Sequence, residues 1–133
     1  MKIQELKKLQ QEKLTILLDK YGVFFAFSNE QFLENKIPLK EGEKYVSIGA
    51  GGYLPNSNAA LFSKEWDDLD KWYKSTLKAD KEEAENAILY ELNNHECFYT
   101  WGYSEVVKIF DGVYTEKQIK SVFNKFAKTY QEA

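Results

Sequence analysis

One histidine, His95, and one cysteine, Cys97, occur in the 133 residues, and they lie two positions apart in the stretch Tyr90–Trp101. Glu91 stands four residues before His95, so on a helix the two face the same way. A carboxylate and an imidazole in that relation can share a hydrogen bond or offer two metal ligands. Metal sites need three or four ligands. The hydrolytic zinc pattern His-Glu-x-x-His would want a second histidine where Tyr99 stands, so no metal is expected here. A cysteine nucleophile needs a base and an oxyanion hole. Phe98 beside Cys97 points to burial, where a thiol behaves as a small hydrophobe. The reading is that an acidic helix ends near His95, which serves its C-terminus or bonds a buried backbone group. Asn94, His95, Glu96 and Tyr99 are then contact residues for a partner or ligand, and none is catalytic.

A second group of residues invites comparison with phosphate-binding loops. Gly49-Ala50-Gly51-Gly52 follows a strand-like run and precedes a helix, a placement shared with such loops. The spacing does not fit Gly-x-Gly-x-x-Gly or Gly-Lys-Ser/Thr, and Pro55 intervenes. A turn with positive φ, or close passage of another backbone, is the better reading. Asn29, Gln31, Gly51, Gly52 and Tyr53 join the junction residues as the candidate binding set. Under this reading a closed pocket forms where residues 24–31, 49–53 and 94–99 meet.

The elements that must position these residues follow from periodicity. Ile3, Leu6, Leu9, Leu14, Leu17, Leu18 and Tyr21 recur at helical spacing and predict an amphipathic helix over 3–21, closed by Gly22. Residues 23–27 read as a buried extended run. Ser28 with Gln31 forms a capping box for a helix to Asn35, with Phe32 and Leu33 inward. Residues 45–48 alternate like a strand. Leu61, Phe62, Trp66, Leu69, Trp72, Tyr73 and Leu77 make one broad stripe on a helix over 58–77. Asp80 with Glu83 caps the next helix, whose shared face carries Ala84, Ala87, Ile88 and Leu92 and extends to His95. Residues 97–101 read as a short strand. Ser104 caps a helix through Phe110, and Thr115 with Gln118 opens the last one, with Ile119, Val122, Phe123, Phe126 and Tyr130 inward. The fold class is α+β: an α-rich single domain, residues 1–133, of five or six helices around a minimal sheet of two or three short strands.

Charge narrows the function. The net charge is −3, and residues 65–96 hold ten acids against four lysines, which gives −6 there. Asp67, Asp68, Asp70, Glu82 and Glu83 form an acidic face. Nucleic acid as a direct ligand is disfavoured, since phosphate neutralisation needs clustered cations; a basic groove on a protein would be complemented. All eighteen basic residues are lysine, which removes the bidentate arginine clamps of phosphoryl chemistry. With one cysteine, no apolar leader and no run near the roughly 20 apolar residues of a membrane span, a cytoplasmic protein is expected, with no cofactor and no membrane partner.

Three segments carry a resemblance: Lys20–Phe32, Val46–Pro55 and Tyr90–Glu96. In this order, across about residues 15–110, the chain resembles a group of small bacteriophage and mobile-element proteins with no established activity. The resemblance implies a bacterial host cell as the setting and stoichiometric binding as the mode of action. The leading expectation is a non-enzymatic binding protein that contacts a host macromolecule, in its specific form an anti-CRISPR-like inhibitor seated in the basic groove of a nucleic-acid-processing effector. The alternatives are a small-molecule or nucleotide binder using the three-segment pocket, and an oligomerisation module built on the N-terminal helix.

Overall fold

The structure, a computed structural model, describes residues 1–132, with side chains through Tyr130. In chain order the elements are α1 (Ile3–Lys20), β1 (Phe24–Phe25), α2 (Asn29–Asn35), β2 (Tyr45–Gly49), β3 (Gly52–Pro55), α3 (Asn56–Ala79), a 3-10 turn (Lys81–Glu83), α4 (Ala84–Asn94), α5 (Cys97–Thr100), α6 (Ser104–Ile109) and α7 (Glu116–Glu132). The class is α+β and helix-rich, with seven α-helices among the described residues where five or six were expected. The chain divides into two compact units, Leu9–Asp70 and Met1–Lys8 with Lys71–Ala133. We call them the sheet unit and the helical unit.

The sheet unit holds one antiparallel sheet in the order β1-β3-β2. Phe24 pairs with Tyr53 and Phe25 with Gly52; on the other side Val46 pairs with Leu54 and Ser47 with Tyr53. The register slips between Ser47 and Gly49, so Ile48 is an extra residue of the kind that sharpens local twist. Gly49, Ala50 and Gly51 have φ of 87°, 51° and 79°, which is the positive-φ turn expected of that segment. The extended run at 23–27 is buried only at alternate positions: Phe24 and Ala26 point in, Phe25 and Phe27 out. That is the pleat of a strand solvated on one face, and it corrects the expectation of a wholly buried run. Ser28 caps α2 as predicted, its Oγ accepting from Gln31 N at 3.1 Å, while Gln31 Oε1 accepts from Phe27 N at 2.8 Å. Phe32 joins Phe24, Tyr45 and Tyr53 in a cluster of rings 5.2–5.8 Å apart. Leu33, expected inward, is exposed: one residue turns about 100° around a helix, and this two-turn helix packs through half-buried Phe32 alone. Leu17, Tyr21, Leu54 and Phe62 form the core beneath.

The helical unit is built on one larger core. Ile3 and Leu6 of α1 pack with Tyr73 and Leu77 of α3, Ile88 and Leu92 of α4, Val106 and Phe110 of α6, and Ile119 and Phe123 of α7. Thr115 and Gln118 cap α7 reciprocally, at 2.8 and 3.1 Å. Several sequence expectations fail in the helices. Residues 97–100 are a single helical turn, not a strand, because Glu96 and Trp101 both adopt the left-handed conformation and fold the chain sharply at each end. Asp80 does not cap; its carboxylate takes the amino-terminal ammonium of Met1 at 2.5 Å, and a 3-10 turn without a side-chain cap precedes α4. Ser104 lies inside α6, with Tyr103 at the uncapped boundary. The α3 stripe is also wider than its cover: Phe62, Tyr73 and Leu77 are buried, whereas Leu61 and Trp66 are exposed. Tyr130, expected inward on α7, is half exposed, with its ring stacked on Phe98.

Candidate functional site

The sheet unit carries an apolar groove of about 540 Å³. Leu14 and Leu18 of α1 form one wall, and Ala59, Phe62, Ser63 and Trp66 of α3 the other. Phe25 of β1 and Ile48, Gly49 and Ala50 of the β2–β3 hairpin close the end. Helical spacing puts the α3 residues on one stripe, and strand alternation turns Phe25 outward beside them. Ser63 is the only polar side chain in the lining. Trp66 packs on Phe62 with ring centroids 5.7 Å apart and remains 44% exposed. Ten acids against six lysines give this unit −4, and the remaining residues sum to +1. The negative charge therefore belongs to the unit that holds the groove.

The sequence-predicted residues distribute between the units. Asn29 and Gln31 lie exposed on α2, and Gln31 is engaged in capping. Gly51 O accepts from Ala26 N at 2.9 Å, Gly52 is a buried ladder residue, and Tyr53 stacks on Phe24 at 5.8 Å. Residues 24–31 and 49–53 are thus brought together by β1–β3 pairing, as parts of the fold. Asn94, His95, Glu96 and Tyr99 belong to the helical unit. Asn94 borders a shallow hollow with Gln4, Asn86, Leu89, Tyr90 and Asn93. Of the acidic face, Asp67, Asp68 and Asp70 lie on α3 in the sheet unit, with Asp68 3.6 Å from Lys64. Glu82 and Glu83 lie in the 3-10 turn of the helical unit. The sequence reading puts Leu14 and Leu18 on the α1 stripe and Ile48 in a strand, and assigns no groove to them or to Ala59. A visible signal was the α3 stripe, too broad to be wholly covered.

At the unique histidine the structure shows an ionic arrangement. His95 occupies the C-cap of α4, its backbone N–H bonded to Glu91 O at 3.0 Å. Its Nε2 stands 3.5 Å from Glu91 Oε2. Glu91, 2% exposed, is the buried charge of the unit, and Lys7 Nζ lies 2.5 Å from its Oε1. That contact is ionic and lacks hydrogen-bond geometry, leaving Oε1 without a formal donor. Lys7 also lies over the Tyr90 ring at 5.3 Å. Burial, and then the Glu91 charge, pushes the Tyr73 hydroxyl well above the ordinary tyrosine range. The Cys97 thiol is raised by burial, which disfavours the thiolate a nucleophile needs. No group of three or more His, Cys, Asp or Glu among the described residues could hold a metal ion. Among those residues no helix is long and apolar enough to cross a membrane.

The chain belongs to a family of unknown function, DUF7659, whose model matches residues 3–133. No curated protein and no solved structure matches it.

Proposed function

We propose that this protein is a small non-enzymatic binding protein that holds an apolar, basic segment of a partner protein in the groove of its sheet unit. The observation that carries the reading is the groove itself: an open apolar surface rimmed by Trp66, Phe25 and Ile48. Exposed apolar surface of this kind marks interaction sites, and tryptophan is the residue most enriched at binding hot spots. From Ala59 to Trp66 the lining runs over seven residue steps of α3, about 10 Å of helix, enough for about two turns of a partner helix. The −4 charge of the unit and exposed Asp67 beside Trp66 favour lysine or arginine on that segment. A host effector that presents such a basic segment, in an anti-CRISPR-like role, is the partner we favour. This part of the proposal rests on the charge and on the likeness of three segments to phage proteins.

The test uses two 14-residue peptides with one amphipathic pattern, one of leucine and lysine, the other of leucine and glutamate. Calorimetric titration is expected to show binding of the lysine peptide only. Trp66→Ser, at an exposed position, should weaken it at least tenfold, in line with a hot-spot truncation of about 2 kcal/mol. Equal binding of both peptides, or an unchanged affinity for Trp66→Ser, would refute the proposal.

A further inference from the structure

The helical unit carries a second opening, about 270 Å³ in volume and lined by Asn93, Glu96, Phe98, Tyr99 and Tyr130. It takes no part in the groove reading. Its construction begins with the backbone. Glu96 follows α4 with φ of 54°, and Trp101 follows α5 with φ of 57°. A helix commonly ends on one left-handed residue, and that residue is usually glycine. A β-carbon there costs about 1–2 kcal/mol. What glutamate adds over glycine at position 96 is its carboxylate. Between the two bends, α5 turns Cys97 and Phe98 inward and leaves Tyr99 87% exposed.

The rings are not equivalent. Phe98 is stacked on both faces, against Tyr130 at 4.7 Å and Phe123 at 5.2 Å, so it offers the cavity only an edge. Tyr130, half exposed, keeps its outer face, and its hydroxyl donates to Asn93 Oδ1 at 3.2 Å. Among the described residues Tyr99 has no ring partner. Two electron-rich faces are therefore available. Among the described residues no cation stands within ion-pair distance of Glu96, and no lysine lines the opening.

Tyrosine faces attract cations through the ring quadrupole, and the carboxylate adds a full charge of the same sign. An anion would find one amide donor, Asn93 Nδ2, and one repelling carboxylate. A primary ammonium is a compact, strongly hydrated point charge with three N–H donors, and it has no methyl groups to lay against the two rings. A quaternary ammonium has no N–H to satisfy. We propose that this cavity binds a small quaternary ammonium compound of about the size of choline, with Tyr99 and Tyr130 against the methyl groups and Glu96 as counter-ion.

Choline and its neutral isostere 3,3-dimethyl-1-butanol, titrated separately and followed by NMR shifts of the tyrosine rings, test the proposal. Choline should saturate with Kd of about 1 mM or below, a free energy near 4 kcal/mol, and the isostere should bind at least tenfold more weakly. Glu96→Gly should lose at least tenfold in choline affinity while its Tm rises, because the left-handed strain is relieved. Glu96→Gln, which keeps the side chain's shape, should lose as much, and Tyr99→Ala likewise at unchanged Tm. Equal binding of choline and the isostere would overturn the proposal. So would choline shifts that stay linear to tens of millimolar, or Glu96 variants that bind as tightly as the parent.

Discussion

Lys7→Met is the most informative change to the helical unit. It removes the ammonium 2.5 Å from Glu91 Oε1 and leaves a carboxylate 2% exposed with no full countercharge. Breaking a buried pair by deleting one partner costs about 3–5 kcal/mol. Lys7 is one-third exposed, so water reaches the vacated position and solvent screening lowers the cost to about 2–3 kcal/mol. Methionine keeps the stem that packs near Tyr90, so the loss is electrostatic. For a chain of this size the melting temperature should fall by about 10 °C. The double variant Lys7→Met with Glu91→Leu removes both charges and should recover to within about 1 kcal/mol of the parent, since apolar replacement of buried pairs is often neutral. Urea unfolding of the four proteins in the cycle measures the coupling. His95→Ala belongs beside it. Its imidazole is 36% exposed and 3.5 Å from the carboxylate, and its loss should cost under about 1 kcal/mol. The reasoning fails if Lys7→Met lies within about 0.5 kcal/mol of the parent, or if the double variant is less stable than Lys7→Met alone.

Three further outcomes follow from the same geometry. Because the Tyr73 hydroxyl is raised, by burial first and Glu91 second, the folded state keeps a proton that the unfolded chain releases. Its stabilisation is complete below pH about 10 and is lost as pH rises beyond it; Tyr73→Phe should flatten this alkaline limb of the urea midpoint, and an unchanged limb would remove Tyr73 from the account. Gly22 has φ of 69°, and a β-carbon there would stand 2.4 Å from Ile37 Cδ1. Gly22→Ala should destabilise the sheet unit by about 1–2 kcal/mol, mostly from the left-handed backbone, with a lower thermal midpoint as the readout. Cys97, 2% exposed with a raised thiol, should react with a thiol reagent only at the rate of opening; fast labelling of the native protein would contradict its burial.

Local signals read well from the chain, and long-range ones did not. The capping pairs Ser28–Gln31 and Thr115–Gln118 sit three residues apart and appear with the expected bonds. Helical periodicity placed α1, α3 and α7 within a few residues. The error at 97–100 came from aromatic residues with high strand propensity, overridden by left-handed backbone at Glu96 and Trp101, residue types that give no warning of it. The same limit applies to the sites. His95 at the end of α4 was legible from spacing to Glu91, but Lys7 as the ion partner, eighty-four positions earlier, left no local trace. The groove depends on which part of the α3 stripe α1 and the hairpin leave uncovered, and a stripe alone does not record its neighbours.

The position of Ile3 and Leu6 bears on how the protein is made. Both are almost fully buried in the core of the helical unit, yet every other residue of that core comes from Tyr73 onward. During synthesis they leave the ribosome before the rest of that core and wait while the whole of Leu9–Asp70 is translated. The sheet unit has its complete set of strands in hand by then and can fold while the chain is still growing. The helical unit must close a loop of more than sixty residues to recover its first two apolar side chains, and loop closure on that scale slows folding. Between those events Ile3 and Leu6 are apolar surface on a nascent helix. That interval is when this chain is most exposed to chaperones and to self-association.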